Sequence, residues 1–201
     1  MKIGGHKHLP AEQRRELTVA AVIDLAGEQN PEEITTSAIA ARMQLTQGAL
    51  FRHFPSKEAI WQAVMEWVAR QLSRRVEKAS WQAASPLAAL EAVFTTHIDF
   101  VVQHPGVPRM LFGQLQKAGD TPAKQVVRSL LARYGEHLQE IIEAGKQRGE
   151  IAAGIDGTVA ASLFIGSIQG LVMQSLLLDD FAHVRRQAPA VFLIFRRGIM
   201  A

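Results

Sequence analysis

The chain has 201 residues, 48% of them apolar, 20% charged and 6% aromatic, with no cysteine and a net charge of +3. This is too apolar for disorder and too poor in glycine and proline for a fibrous protein, and the length suffices to bury roughly 70% of the unfolded surface. The missing cysteines exclude a disulfide scaffold, a thiol sensor and cysteine-ligated zinc; no uninterrupted apolar run reaches the ~18 residues of a membrane span, and residues 1–7 lack the apolar segment of a secretory signal. A soluble cytoplasmic protein is the expectation. Residues 1–60 hold equal numbers of Lys/Arg and Asp/Glu, so bulk charge does not announce nucleic-acid binding there.

Helical periodicity runs through the whole chain, and strand signals are missing, so the expected fold class is all-α. In residues 10–29, Thr18, Ala21, Val22, Leu25 and Ala26 form one stripe, the pattern of a helix with a single buried face. Asn30-Pro31 stops it. A cluster of short helices follows: Thr35 is placed to cap residues 36–43 and Thr46 to cap 47–54, with Ser56 capping a long amphipathic helix to about residue 79. Further helices are expected over 86–104, 107–117, 122–147, 158–178 and 184–200. The division falls at Ser56, giving a head of residues 1–56 and a body of 57–201.

The segment from Ile39 to Phe54 has the mechanics of a helix-turn-helix. Ile39 and Ala40 face inward, Leu45 plugs the turn, and Leu50 and Phe54 anchor the second helix. Thr46, Gln47, Ala49, Phe51 and Arg52 are left near the N-terminus of that helix, the end that enters the major groove in such motifs. Gln47 suits an adenine edge, Arg52 a guanine or a phosphate, and Phe51 and the Ala49 methyl a thymine methyl. The hydroxyls of Thr35, Thr46 and Ser56, with His53 and Lys57, suit phosphates.

From Thr18 to Trp61 the chain resembles the DNA-binding domain of the TetR family of bacterial transcriptional regulators. The resemblance rests on Ile39, Ala40, Leu45, Thr46, Gly48, Ala49, Leu50, Phe51, His53, Phe54, Ser56, Lys57, Glu58 and Ile60. It implies a three-helix DNA-binding domain followed by a helical effector-binding and dimerisation domain. It also implies DNA contacts from Thr35, Ser37 and the recognition helix, here Thr46, Gln47, Gly48, Ala49, Phe51, Arg52 and His53, with Lys57 gripping a phosphate. Three departures stand out. Gln44 replaces the usual turn glycine, Phe51 replaces a tyrosine and loses its hydroxyl, and Ser37 stands where a basic or polar residue is common. Affinity is then expected to lean on Arg52, on His53 and on the arm of residues 2–8. His6 and His8 suit a metal on paper, but a solvated tail is the plainer reading and no metal or cofactor is expected.

In the body, residues 158–178 are apolar nearly all round, and Gly166 and Gly170 form a smooth strip within them. With Met173, Leu177, Val191 and Phe195 they are the expected interface of a homodimer, which a palindromic double-stranded operator would require. An effector pocket is expected from Trp61, Met65, Phe94, His97, Met110, Phe112, Tyr134, Phe164 and Gln169, each of which also suits plain core; Ser162 is a further polar candidate. His97 either meets a ligand or satisfies Tyr134. Few charges invade these faces, so a hydrophobic, uncharged or weakly anionic small molecule is expected, releasing a repressor from its operator. Control by a protein partner is the competing reading, favoured by a core without a cavity, and activation is open because its sign depends on operator position. An enzyme is not expected, since no HExxH, phosphate-cradling glycine loop or nucleophile elbow occurs.

Overall fold

The computed structural model describes residues 10–201, so the arm at 2–8 with His6 and His8 lies outside the described residues. Among the described residues nine α-helices follow in order: α1 (Ala11–Glu28), α2 (Thr36–Arg42), α3 (Gln47–Phe51), α4 (Lys57–Trp81), α5 (Pro86–Gln103), α6 (Gly106–Gln116), α7 (Pro122–Gln147), α8 (Gly157–Leu178) and α9 (Phe181–Ile199). Among the described residues the only β-type pairing is an isolated bridge between Ile151 and Met200.

Polar caps set the helix starts. The side-chain oxygens of Thr35, Thr46, Ser56, Ser85, Thr121 and Asp156 each accept a backbone N–H from the first turn that follows, satisfying donors that have no partner inside the helix. The Asp180 carboxylate does the same for His183, which starts α9 at Phe181, three residues before the expected 184. The recognition helix is shorter than its periodicity predicts. It closes at Phe51, and the His53 N–H bonds back three residues to Leu50 at 3.0 Å, a tightened last turn.

The head is α1 to α3, closed by Ile34, Ile39, Leu50 and Phe54, all at most 1% exposed. The body is a bundle in which α4 packs on α5 and α7, α5 on α9, and α8 on α7 and α9; α1 reaches across to α4 and α6. The α1–α6 crossing requires a glycine: a Cβ at Gly106 would collide with the Ile23 carbonyl oxygen and lie 2.8 Å from the Gly27 nitrogen. Head and body therefore touch backbone to backbone at that point.

By length and mean hydropathy α8 is the one helix among the described residues apolar enough to cross a membrane. Its apolar residues are divided between contacts with α5, α7 and α9 and an uncovered stripe described below.

Candidate nucleic-acid interface and effector cavity

The turn between α2 and α3 is made by Gln44 at φ 56°, the left-handed region that the usual glycine occupies freely and a side chain strains. Leu50 on α3 is buried, whereas Gln47, Gly48, Phe51 and Arg52 are exposed and Ala49 and His53 half-buried. Phe51 is 41% exposed, a large ring left outside the core beside polar neighbours. Gln47 Nε2 donates to Thr36 Oγ1 at 2.6 Å. His53 sits 3.4 Å from Arg14 Nη1, tying the end of α3 to α1, and Arg15 stacks over the Phe54 ring at 4.9 Å. Arg42 forks onto Glu28 at the far side of the head, and that bond holds the Glu28 carboxyl below its usual range.

Thr35 Oγ1 and Thr46 Oγ1 accept the N–H groups of Ala38 and Ala49. A hydroxyl that accepts in this way keeps its own proton to donate, so both caps can still bond a phosphate oxygen. Ser37 is exposed on α2. Lys57 is folded inward: its Nζ donates to the Glu32 carbonyl at 3.1 Å and lies 5.0 Å from the centre of the Trp61 ring. Burial, then the nearby Lys117 charge, depresses its pKa.

A cavity of about 100 Å³ lies between α4, α5, α6, α7 and α8, partly open to the surface, with the exposed Leu131 and Gln169 in its lining. Of the nine expected pocket residues, Met65, His97, Phe112, Tyr134 and Gln169 line it, in company with Leu111 and Leu131. The other four lie elsewhere. Phe94 and Phe164 stack edge to face at 5.3 Å and join Phe192 and Phe195 in an aromatic core between α5, α8 and α9. Trp61 and Met110 face a separate crevice beside Lys57. Ser162 is exposed and outside the cavity. These misplacements share a cause: a periodic stripe shows that a residue faces inward, but not which of two neighbouring interior spaces it meets.

The polar groups of the cavity are few. His97 Nδ1 and the Tyr134 hydroxyl lie 3.1 Å apart, so each satisfies the other. Burial pushes the His97 pKa down to about 4 and pushes that of Tyr134 up. At neutral pH both are uncharged, and no Asp, Glu, Lys or Arg lines the space.

Sequence reasoning missed Gln114, which is 3% exposed. With its amide oxygen turned toward α4, it accepts from the Trp61 indole N–H at 2.9 Å and from Lys117 Nζ at 3.2 Å. The signal was available, for Gln114 falls one helical turn after the inward Met110. Arg109 was missed as well. It bonds Asp179 at 2.7 Å, clasping α6 to the end of α8, and nothing in local pattern pairs residues so far apart.

On α8, Val159, Leu163, Gly166, Gly170, Met173 and Leu177 recur at alternating steps of four and three, one continuous stripe. Leu177 is 79% exposed, and beside the stripe on α9 Ile194 is 73% exposed. A Cβ at Gly166 or Gly170 would meet nothing within 4 Å, so no helix of this chain uses the glycine strip. Of the expected interface residues, Val191 is half-buried and Phe195 points inward, 4% exposed. The large apolar residues of α9 that face out are Leu193 and Ile194.

Ser80, His137 and Glu140 have the composition of a hydrolytic relay but not its geometry. Ser80 Oγ donates to the Glu77 carbonyl at 2.8 Å, so His137 Nε2, at 3.0 Å, is the donor to Ser80 rather than its base.

An exposed short helix anchored by a helix-turn-helix, set on a helical body, is the architecture of a DNA-binding regulator. The chain belongs to the TetR family: "Bacterial regulatory proteins, tetR family" matches residues 19–64, and "Tetracyclin repressor-like, C-terminal domain" matches residues 86–191. It is similar to the nucleoid occlusion factor SlmA of Vibrio cholerae, 23% identical over 90% of this chain and 91% of that one. Among solved structures, FadR of Bacillus subtilis, determined with stearoyl-CoA, superposes with a TM-score of 0.80 at 21% identity over 92% of this chain and 98% of that one. AibR, determined with isovaleryl coenzyme A and operator DNA, superposes at 0.65 and 22% identity over 77% and 83%.

Proposed function

We propose that this regulator is a homodimer that represses transcription from a palindromic operator and is released by a small, largely apolar effector. Residues 1–56 form the reading head and residues 57–201 the regulatory and dimerising body. The observation that carries the reading is α3, which leaves Gln47, Phe51 and Arg52 uncovered on one side while Leu50 and Phe54 hold it in the core. Thr35, Ser37, Thr46, Gly48, Ala49 and His53 complete the contact with bases and phosphates. Lys57 adds a phosphate contact once it leaves Glu32. The α8 stripe, with Leu193 and Ile194, pairs with its symmetry mate and sets the spacing of two heads.

The cavity between α4 and α8 receives the effector. Its uncharged wall selects an apolar group, and His97, Tyr134 and Gln169 supply the hydrogen bonds. An acyl chain fits that chemistry, and the acyl-CoA ligands of FadR and AibR support it. At about 100 Å³ the space is smaller than the roughly 300–1,000 Å³ of a drug-sized site, so the ligand enters by displacing α6. That motion breaks the Gln114–Trp61 bond, shifts α4 and moves the heads out of register.

Selecting DNA from a random pool with the purified protein checks the reader. Enrichment of an inverted repeat with half-sites ~34–36 Å apart supports it, and an unenriched pool defeats it. Titrating acyl-CoAs of increasing chain length against the selected fragment checks the switch. A 100-fold loss of affinity corresponds to about 2.7 kcal/mol of coupling. The small volume of the cavity favours control by a protein partner as the second reading, which takes over if ligands bind without releasing DNA.

A further inference from the structure

We infer that Thr36 is a specificity-determining residue: it orients the Gln47 amide so that the edge carrying Oε1 and one N–H faces outward to recognise an A·T pair. The inference rests on the DNA-reading role of α3 proposed above. Gln47 is the first residue of α3 and Thr36 the first of α2, so the turn at Gln44 brings two helix starts side by side. The bond from Gln47 Nε2 to Thr36 Oγ1, 2.6 Å long, crosses between them. Thr36 is half-buried while Gln47 is exposed, so the anchor is the more fixed of the two.

A primary amide has two N–H groups. One shares an edge with the oxygen and the other points away. Adenine in the major groove presents an N6–H donor beside the N7 acceptor, and only the edge with both O and N–H matches that pair. The inference assigns the outlying N–H to the bond with Thr36, which leaves the matching edge free. It also removes rotamer freedom that an exposed glutamine would otherwise lose on binding. The hydroxyls of Thr35 and Thr46 accept the N–H groups of Ala38 and Ala49, so the cap that precedes each partner of the bond is fixed in place.

The test is selection from a random duplex pool with the wild-type protein, Thr36→Val, Thr36→Ser and Gln47→Ala, followed by affinities for the selected site and its single-base-pair variants over a salt series. Thermal melts in parallel establish that each variant is folded. The wild type is expected to prefer A·T at one position in each half-site. Thr36→Val is expected to lose roughly tenfold of that preference with other positions and the salt slope unchanged, and Thr36→Ser to keep it. Gln47→Ala should lose it altogether. A Thr36→Val protein that keeps full preference overturns the assignment, as does one that weakens all sites equally with a shallower salt slope, the signature of a lost phosphate contact. A wild-type protein that selects no sequence defeats the DNA-reading proposal itself, and this inference with it.

Discussion

The head and the body leave opposite kinds of surface uncovered. Around α3 the exposed residues include Gln47 and Arg52, with one ring, Phe51; along α8 and α9 the exposed large apolar residues include Leu163, Leu177, Leu193 and Ile194. Polar groups on a short helix lose little in water and gain directional bonds when a groove covers them. Leucines and isoleucines exposed by 43–79% gain only by excluding water, each fully buried side chain contributing about 1.5–3 kcal/mol. The contrast separates a surface that suits a reversible polar partner from one that gains by apolar cover, the part the proposed dimer gives to a second copy of the chain.

The largest expected effect comes from making the second surface resemble the first. Leu177→Glu with Ile194→Glu places four carboxylates in a paired interface. Sedimentation should report a monomer that retains its helicity, and operator affinity should fall by more than about 100-fold because one head reads half a palindrome. A protein that remains dimeric would show that the stripe is not the interface.

On folding stability, Phe164→Ala should cost about 3–5 kcal/mol, read by urea denaturation, because Phe164 is fully buried among Phe94 and Phe195. A normal fold with altered ligand affinity would instead return it to the pocket.

The buried His97 gives a pH dependence whose sign is determined. Its folded pKa, about 4, lies below the ordinary 6.5. The unfolded chain therefore takes up the proton first as pH falls. Stability is full above pH 6.5 and declines down to pH 4, by about 3 kcal/mol from this residue. His104, also depressed chiefly by burial, adds in the same direction. His97→Gln should flatten most of the decline in melts between pH 7 and 4, and an unchanged profile would contradict the buried neutral imidazole.

The smallest effect sharpens the head. Gln44→Gly should relieve the left-handed turn and stabilise the protein by up to about 1 kcal/mol. A loss of stability would mean that the Gln44 side chain makes up for its backbone.

Much of the head was legible in advance because its signals are local. Caps act within three residues, and a periodic Leu50–Phe54 pair on a helix flanked by Thr46 and Pro55 leaves few alternatives. Even the strain at Gln44 followed from the missing glycine. The body was less legible. His97 was expected to face inward and does, but whether Trp61, Phe94, Met110 and Phe164 met a cavity or a packed core depended on where α6 and α9 settled. Likewise Phe195 and Ile194 are adjacent in the chain and equally apolar, yet one closes the protomer and the other remains outside it.

The amino-acid order alone determined the all-helical class and most helix starts, since helix periodicity and capping are contests between near neighbours. Tertiary packing decided the cavity, the Gln114–Trp61 and Arg109–Asp179 ties, the Thr36–Gln47 bond and the identity of the uncovered stripe. These join residues that only a three-dimensional arrangement brings within 4 Å, the range at which side chains act on one another.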